Sequence, residues 1–93
     1  MSEGVRSIGR MTFYQCRGLE SVTIPASVKN IEYEAFFDCS KLTSVTMRGE
    51  KPDSGDRVFD KCANLKSIHV SANAKSWAGM KEWQGIPLVF DAK

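Results

Sequence analysis

The chain has 93 residues, of which 42% are apolar and 26% charged, and its formal net charge is +2. That length allows one small domain, and that balance belongs to a globular fold rather than a disordered one. The basic residues are scattered along the chain, so the charge footprint of a nucleic-acid-binding surface is missing, and no apolar run approaches the roughly 20 residues that cross a bilayer.

In chain order, Met1-Ser2-Glu3-Gly4 comes first. It is polar and lacks the basic start and apolar stretch of a signal peptide. Residues 1–4 are expected to be a linker or cloning scar on a fragment cut from a longer protein. The first of three repeats follows at once. Phe13, Phe36 and Phe59 lie 23 residues apart, and so do Cys16, Cys39 and Cys62, and Leu19, Leu42 and Leu65. Ser21, Ser44 and Ser67 keep the step, followed by Val22, Val45 and Ile68 and then Ile24, Met47 and Val70. A fixed period of this size marks a solenoid, in which each unit buries its apolar face only by stacking on the next. The units are expected at residues 5–27, 28–50 and 51–73, with a closing segment at 74–93.

Each unit carries two signals. Val22 and Ile24 are two apart and point to one face of a strand, while Ser21 and Thr23 point to the other. Pro25 has no N–H and should end that strand. Upstream, Ile8, Thr12, Phe13 and Cys16 follow helical spacing, which predicts one or two helical or 3₁₀ turns packed on the strand. The third unit keeps its second half only. Lys51 and Ser54 stand where Val28 and Ile31 stood, and Pro52, Gly55 and the intervening charges predict a loop.

Ile8-Gly9-Arg10-Met11-Thr12-Phe13-Tyr14-Gln15-Cys16, running on to Leu19, Val22, Ile24, Pro25 and Val28, resembles the 23-residue BspA-like leucine-rich repeat. Ile31-Glu32-Tyr33-Glu34-Ala35-Phe36-Phe37-Asp38-Cys39 matches it too, with Glu32 for the usual Gly. Thr12 and Val58 depart from the expected Ala, and Arg48 and Ser71 from the expected Pro. The resemblance implies a short α/β leucine-rich repeat solenoid with parallel strands on one face, helical or 3₁₀ turns on the other, and a C-terminal cap. It also implies a cell-surface or secreted module of host-associated organisms, with adhesion and binding of host proteins as its role. The two alternatives are an architectural spacer or cap of a longer array, and an accessory domain of a larger surface hydrolase.

The concave strand face, Ser21, Thr23, Ser44, Thr46, Ser67 and His69, is the expected binding surface, with small uncharged groups suited to a protein or a glycan. Catalysis is not expected. Ser67 and His69 are i and i+2, about 6.6–6.8 Å apart along a strand, beyond the roughly 2.6–3.2 Å of a nucleophile–base pair. Three cysteines in one column cannot all pair, and they do not converge as zinc ligands must; they read as reduced, buried small hydrophobes. Asp53, Asp56 and Asp60 lack calcium-loop spacing. No metal or cofactor is expected, and the isolated chain is expected to be a monomer. Trp77, Met80, Trp83, Ile86, Leu88 and Phe90 form an apolar concentration read as the cap over the open core. The alternative is an aromatic platform for sugar. Tyr14 and Phe37 share a column with Lys61 and are expected on the convex side, partly exposed.

Overall fold

Strand β2 (Ser21–Ile24) pairs in parallel with β4 (Ser44–Met47), Ser21 against Ser44 and Ile24 against Met47, so every partner lies 23 residues on. The same step carries β4 onto β6 (Ser67–Ser71). The computed structural model describes residues 4–92. Of the expected N-terminal linker, residues 1–3 lie outside the described residues. Gly4 is described, and its N–H donates to Ser27 Oγ at 3.1 Å.

Two parallel sheets run up the stack. The smaller joins β1 (Ser7–Ile8), β3 (Asn30–Ile31) and β5 (Asp53–Ser54) in the order β1-β3-β5. The larger has the order β2-β4-β6-β8-β7, where β7 is Glu82–Trp83 and β8 is Ile86–Ala92. β8 is parallel to β6, and β7 folds back antiparallel onto β8. Between the sheets lies a core of Ile24, Ile31, Phe36, Cys39, Leu42, Val45, Ile68 and Val70, each with almost no exposed surface. The phenylalanines stack directly. Phe13 and Phe36 have ring centroids 4.8 Å apart at 8° between planes, and Phe36 and Phe59 are 5.3 Å apart.

The architecture is therefore a β-solenoid rather than an α/β repeat. The helical turn expected before each strand does not form. Phe13 N–H donates to the Ala35 carbonyl at 2.7 Å and Gln15 N–H to the Phe37 carbonyl at 2.7 Å, so both are spent on the next rung. Tyr14 and Cys16 N–H close tight turns on Met11 and Phe13 instead. Those turns need a left-handed residue, and one recurs in two columns: Met11, Glu34 and Arg57 with φ of 61°, 55° and 59°, and Gln15, Asp38 and Lys61 with 57°, 59° and 61°. Helical spacing of apolar residues gives way to hydrogen bonding between rungs. Among the described residues the helical structure is a single 3₁₀ turn, Lys75–Trp77.

The loop expected over residues 51–57 is also corrected. Asp53 and Ser54 form β5, in register with Asn30 and Ile31. Asp53 N–H reaches the Lys29 carbonyl at 3.0 Å and Gly55 N–H the Ile31 carbonyl at 2.9 Å. Backbone pairing continues the rung although the apolar side chains are gone. Gly55 permits it, because a Cβ there would lie 2.7 Å from the Tyr33 nitrogen. Strand β2 ends at Ile24, immediately before Pro25. Where Ser71 replaces proline the strand includes that residue, and where Arg48 does, its N–H donates to the Ile24 carbonyl at 3.0 Å.

Candidate functional site

The outer face of the larger sheet presents two rows of side chains, Ser21–Ser44–Ser67 and Thr23–Thr46–His69, held in register by the ladder. Ser21 and Thr23 are exposed, and the other four are half-buried. All six expected face residues are thus brought together on one surface. His69 pairs across with Val89, which is 37% exposed and carries the second row one strand further in an apolar form. The rows stand on a rigid base, since the intervening Val45 and Ile68 are fully buried beneath them.

Ser67 Oγ and His69 Nε2 are 3.4 Å apart, closer than the backbone spacing predicts, because the two side chains lean together along the strand. That distance is long for a hydrogen bond between such atoms.

The cysteine column is a second repeated device. Cys39 Sγ donates to the Phe13 carbonyl at 3.1 Å and Cys62 Sγ to the Phe36 carbonyl at 3.0 Å. Each thiol fits an apolar space and adds a weak donor to a carbonyl of the rung before it, which a methyl group of the same size cannot do. All three are free thiols, with Cys39 and Cys62 buried and Cys16 half-buried. Burial, then the neighbouring Cys62, pushes the Cys39 thiol from 9.0 to about 11. Burial raises Cys62 as well. Both are protonated and unreactive near neutrality.

Trp77, Met80 and Trp83 do not share a helix face. Trp77 closes the 3₁₀ turn and Trp83 lies on β7. Both are buried, and their rings meet edge to face at 5.4 Å. Trp83 also meets Phe59 edge to face at 5.8 Å, at the end of the phenylalanine stack. Met80, Ile86 and Leu88 pack half-buried against the core, whereas Phe90 is 40% exposed. Phe90 is thus the most exposed of the six residues expected in the cap.

On the opposite side, Tyr14 and Phe37 stack at 5.1 Å, both half-buried. Arg57 lies over Phe37 at 5.6 Å and grips Asp60 at 3.0 Å. Arg17 and Asp38 form a 2.8 Å ion pair across rungs, and that hydrogen bond holds the Asp38 carboxyl below its ordinary range. Of the three aspartates weighed for calcium, Asp53 is on β5, Asp56 is exposed and Asp60 is committed to Arg57. Among the described residues no group of three or more His, Cys, Asp or Glu could hold a metal ion, and no helix is long and apolar enough to cross a membrane.

Residues 1–79 match the family model of the BspA type leucine rich repeat region (6 copies). The chain belongs to this family. Comparison with curated proteins and with solved structures gave no match. Membership places the chain among repeat modules of the protein-interaction or surface kind, typically without catalytic activity.

The sequence reading missed Gln84. It occupies the first position of a two-residue turn between β7 and β8, with φ of 54° followed by 78° at Gly85. Two left-handed residues make the turn that matches strand twist in a hairpin. Gly85, in the pair Gln84-Gly85 between the apolar Trp83 and Ile86, was the available signal.

Proposed function

We propose that this chain is a non-catalytic binding module of a cell-surface or secreted protein, and that it meets a protein or glycan partner through the outer face of the larger sheet. The observation that supports this is the pair of rows Ser21–Ser44–Ser67 and Thr23–Thr46–His69. Rungs of a sheet repeat at about 4.8 Å, so the rows form a regular grid of small polar groups. Such groups hydrogen-bond a partner with little side-chain entropy to lose. Repeat arrays commonly bind through an extended face of this kind.

The test is a pair of arginine substitutions read against a glycan array and a panel of extracellular-matrix proteins. Thr46→Arg at the centre of the grid is expected to abolish binding to any ligand so found, with the melting temperature kept. Ala63→Arg, on an exposed turn, is expected to leave binding intact. Binding lost with Ala63→Arg and kept with Thr46→Arg would place the contact elsewhere.

A second reading is architectural, with residues 74–90 closing the end of a longer array whose units are those at 5–27, 28–50 and 51–73. The contact of Trp83 with the last ring of the phenylalanine stack favours it. The two readings are compatible, because a closed end leaves the outer face open.

A further inference from the structure

The turns that follow β2, β4 and β6 line a shallow pocket of about 320 Å³ that opens widely to solvent. Ala26 and Gly49 form part of its lining. A Cβ on Gly49 would lie 2.7 Å from Ala26 Cα, so only glycine lets the two turns approach this closely. The Gly49 carbonyl is pinned by the Trp77 indole N–H at 3.0 Å.

Lys29 and Arg48 line the pocket and are exposed. No carboxylate lies within ion-pair distance of either among the described residues. Glu50 faces the same space, its Oε1 fixed by the Ser76 N–H at 3.0 Å. Ser71 is buried beside it, its hydroxyl accepting the Asn73 N–H at 3.2 Å. Arg48 and Ser71 stand in the column where Pro25 ends the first strand, so the pocket forms where the repeat departs from its own pattern.

The mixed charge selects a ligand. A simple cation is repelled by Lys29 and Arg48, and a simple anion meets Glu50. A carboxylate carried on a hydroxylated body satisfies both. The guanidinium can take the carboxylate through two parallel N–H donors, while Glu50, which can only accept, receives a hydroxyl. Small-molecule pockets span about 300–1,000 Å³; this one is at the lower end and open to solvent, so a small ligand would bind with one side exposed, as the terminal unit of a longer chain does.

We propose that this pocket binds a sugar acid of the uronic type, free or as the terminal unit of an acidic glycan. The experiment follows the amide signals of Gly49, Glu50 and Asn73 by NMR while the isotope-labelled chain is titrated with sodium glucuronate, a glucuronate-terminated oligosaccharide, glucose and inorganic phosphate. Saturable millimolar binding of one or both glucuronate probes is expected, and the tighter of the two names the source. Glucose should move the signals little. Arg48→Ala should weaken glucuronate binding roughly tenfold, the scale of one lost charge-assisted hydrogen bond, with an unchanged melting temperature. The proposal fails if neither glucuronate probe binds, if glucose binds as well as glucuronate, or if Arg48→Ala binds like wild type. Saturation by phosphate at equal or lower concentration would mark a bare anion site and overturn it too.

Discussion

The side-chain amide of Gln84 donates to the Gly55 carbonyl at 3.1 Å. The same amide donates to Ser54 Oγ at 3.1 Å, and its oxygen accepts the Val58 N–H at 3.4 Å. In the two earlier rungs the equivalent groups bond each other, Thr12 N–H to the Gly9 carbonyl and Ala35 N–H to the Glu32 carbonyl, both at 3.2 Å. In the third rung a side chain from the C-terminal hairpin bridges them. The hairpin is thereby tied to the third rung's backbone as well as to its rings.

Gln84→Ala is expected to lower stability by about 1–2 kcal/mol, the cost of leaving half-buried backbone groups poorly satisfied. Gln84→Glu, nearly the same shape, should cost at least as much, because a carboxylate cannot donate to the Gly55 carbonyl. Urea denaturation of the two variants checks this. Full stability in Gln84→Glu would mean that packing alone holds the hairpin.

The stacked columns were legible because a 23-residue period fixes which side chains superpose, and a two-residue alternation fixes which point inward. The left-handed columns were not. Met11, Glu34 and Arg57 share neither chemistry nor the usual preference for glycine or asparagine. The conformation goes with a tight turn repeated in every rung, in which the Tyr14, Phe37 and Asp60 N–H groups donate to the Met11, Glu34 and Arg57 carbonyls, a demand of the stacked unit that local propensity does not carry. Strand β5 was hidden for the same reason: Asp53 and Ser54 have no strand propensity, and their pairing is entirely backbone. On the outer face, strand alternation was enough to group all six residues. The pocket at the strand ends was not readable, because Lys29, Arg48 and Glu50 meet only once the turns are stacked.

The left-handed positions yield an ordering. Lys61 is exposed with φ of 61°. A left-handed conformation costs a non-glycine residue roughly 1–2 kcal/mol, and glycine loses about 0.5–1 kcal/mol of chain entropy in return. Lys61→Gly should therefore be neutral or stabilising by up to about 1 kcal/mol. Lys61→Val, β-branched, should destabilise by roughly 1–2 kcal/mol. Thermal melts that reverse this order would show that the turn adopts another conformation in solution.

Trp83→Ala removes a buried ring in edge contact with both Phe59 and Trp77. Large aromatic truncations in cores cost about 3–5 kcal/mol, a large part of the 5–15 kcal/mol typical of a domain. The variant is expected to unfold or to aggregate through the exposed third rung. Trp83→Phe should retain part of the contact and fall between. An unchanged melting temperature for Trp83→Ala would show that the ring is exposed in solution.

The cysteine column predicts both reactivity and a pH dependence. Cys16 is half-buried while Cys39 and Cys62 are buried, so a thiol reagent should label Cys16 first and the other two only on unfolding. The Cys39 thiol ionises near 11 in the folded chain against 9.0 when free of its surroundings. Below pH 9 both states hold the proton and stability does not depend on it. Between 9 and 11 the unfolded chain loses the proton that the folded chain keeps, so stability falls as pH rises. One full proton of difference corresponds to about 1.4 kcal/mol per pH unit. Cys62, raised in the same direction, adds to the effect. Cys39→Ala should be less stable at neutral pH, because the buried site loses a sulfur and the Phe13 carbonyl is left with the Cys16 N–H alone, and its stability should fall less steeply across that alkaline window. Denaturation curves taken from pH 8 to 11 for both proteins check this. Equal slopes would show that the Cys39 thiol ionises alike in the folded and unfolded chains.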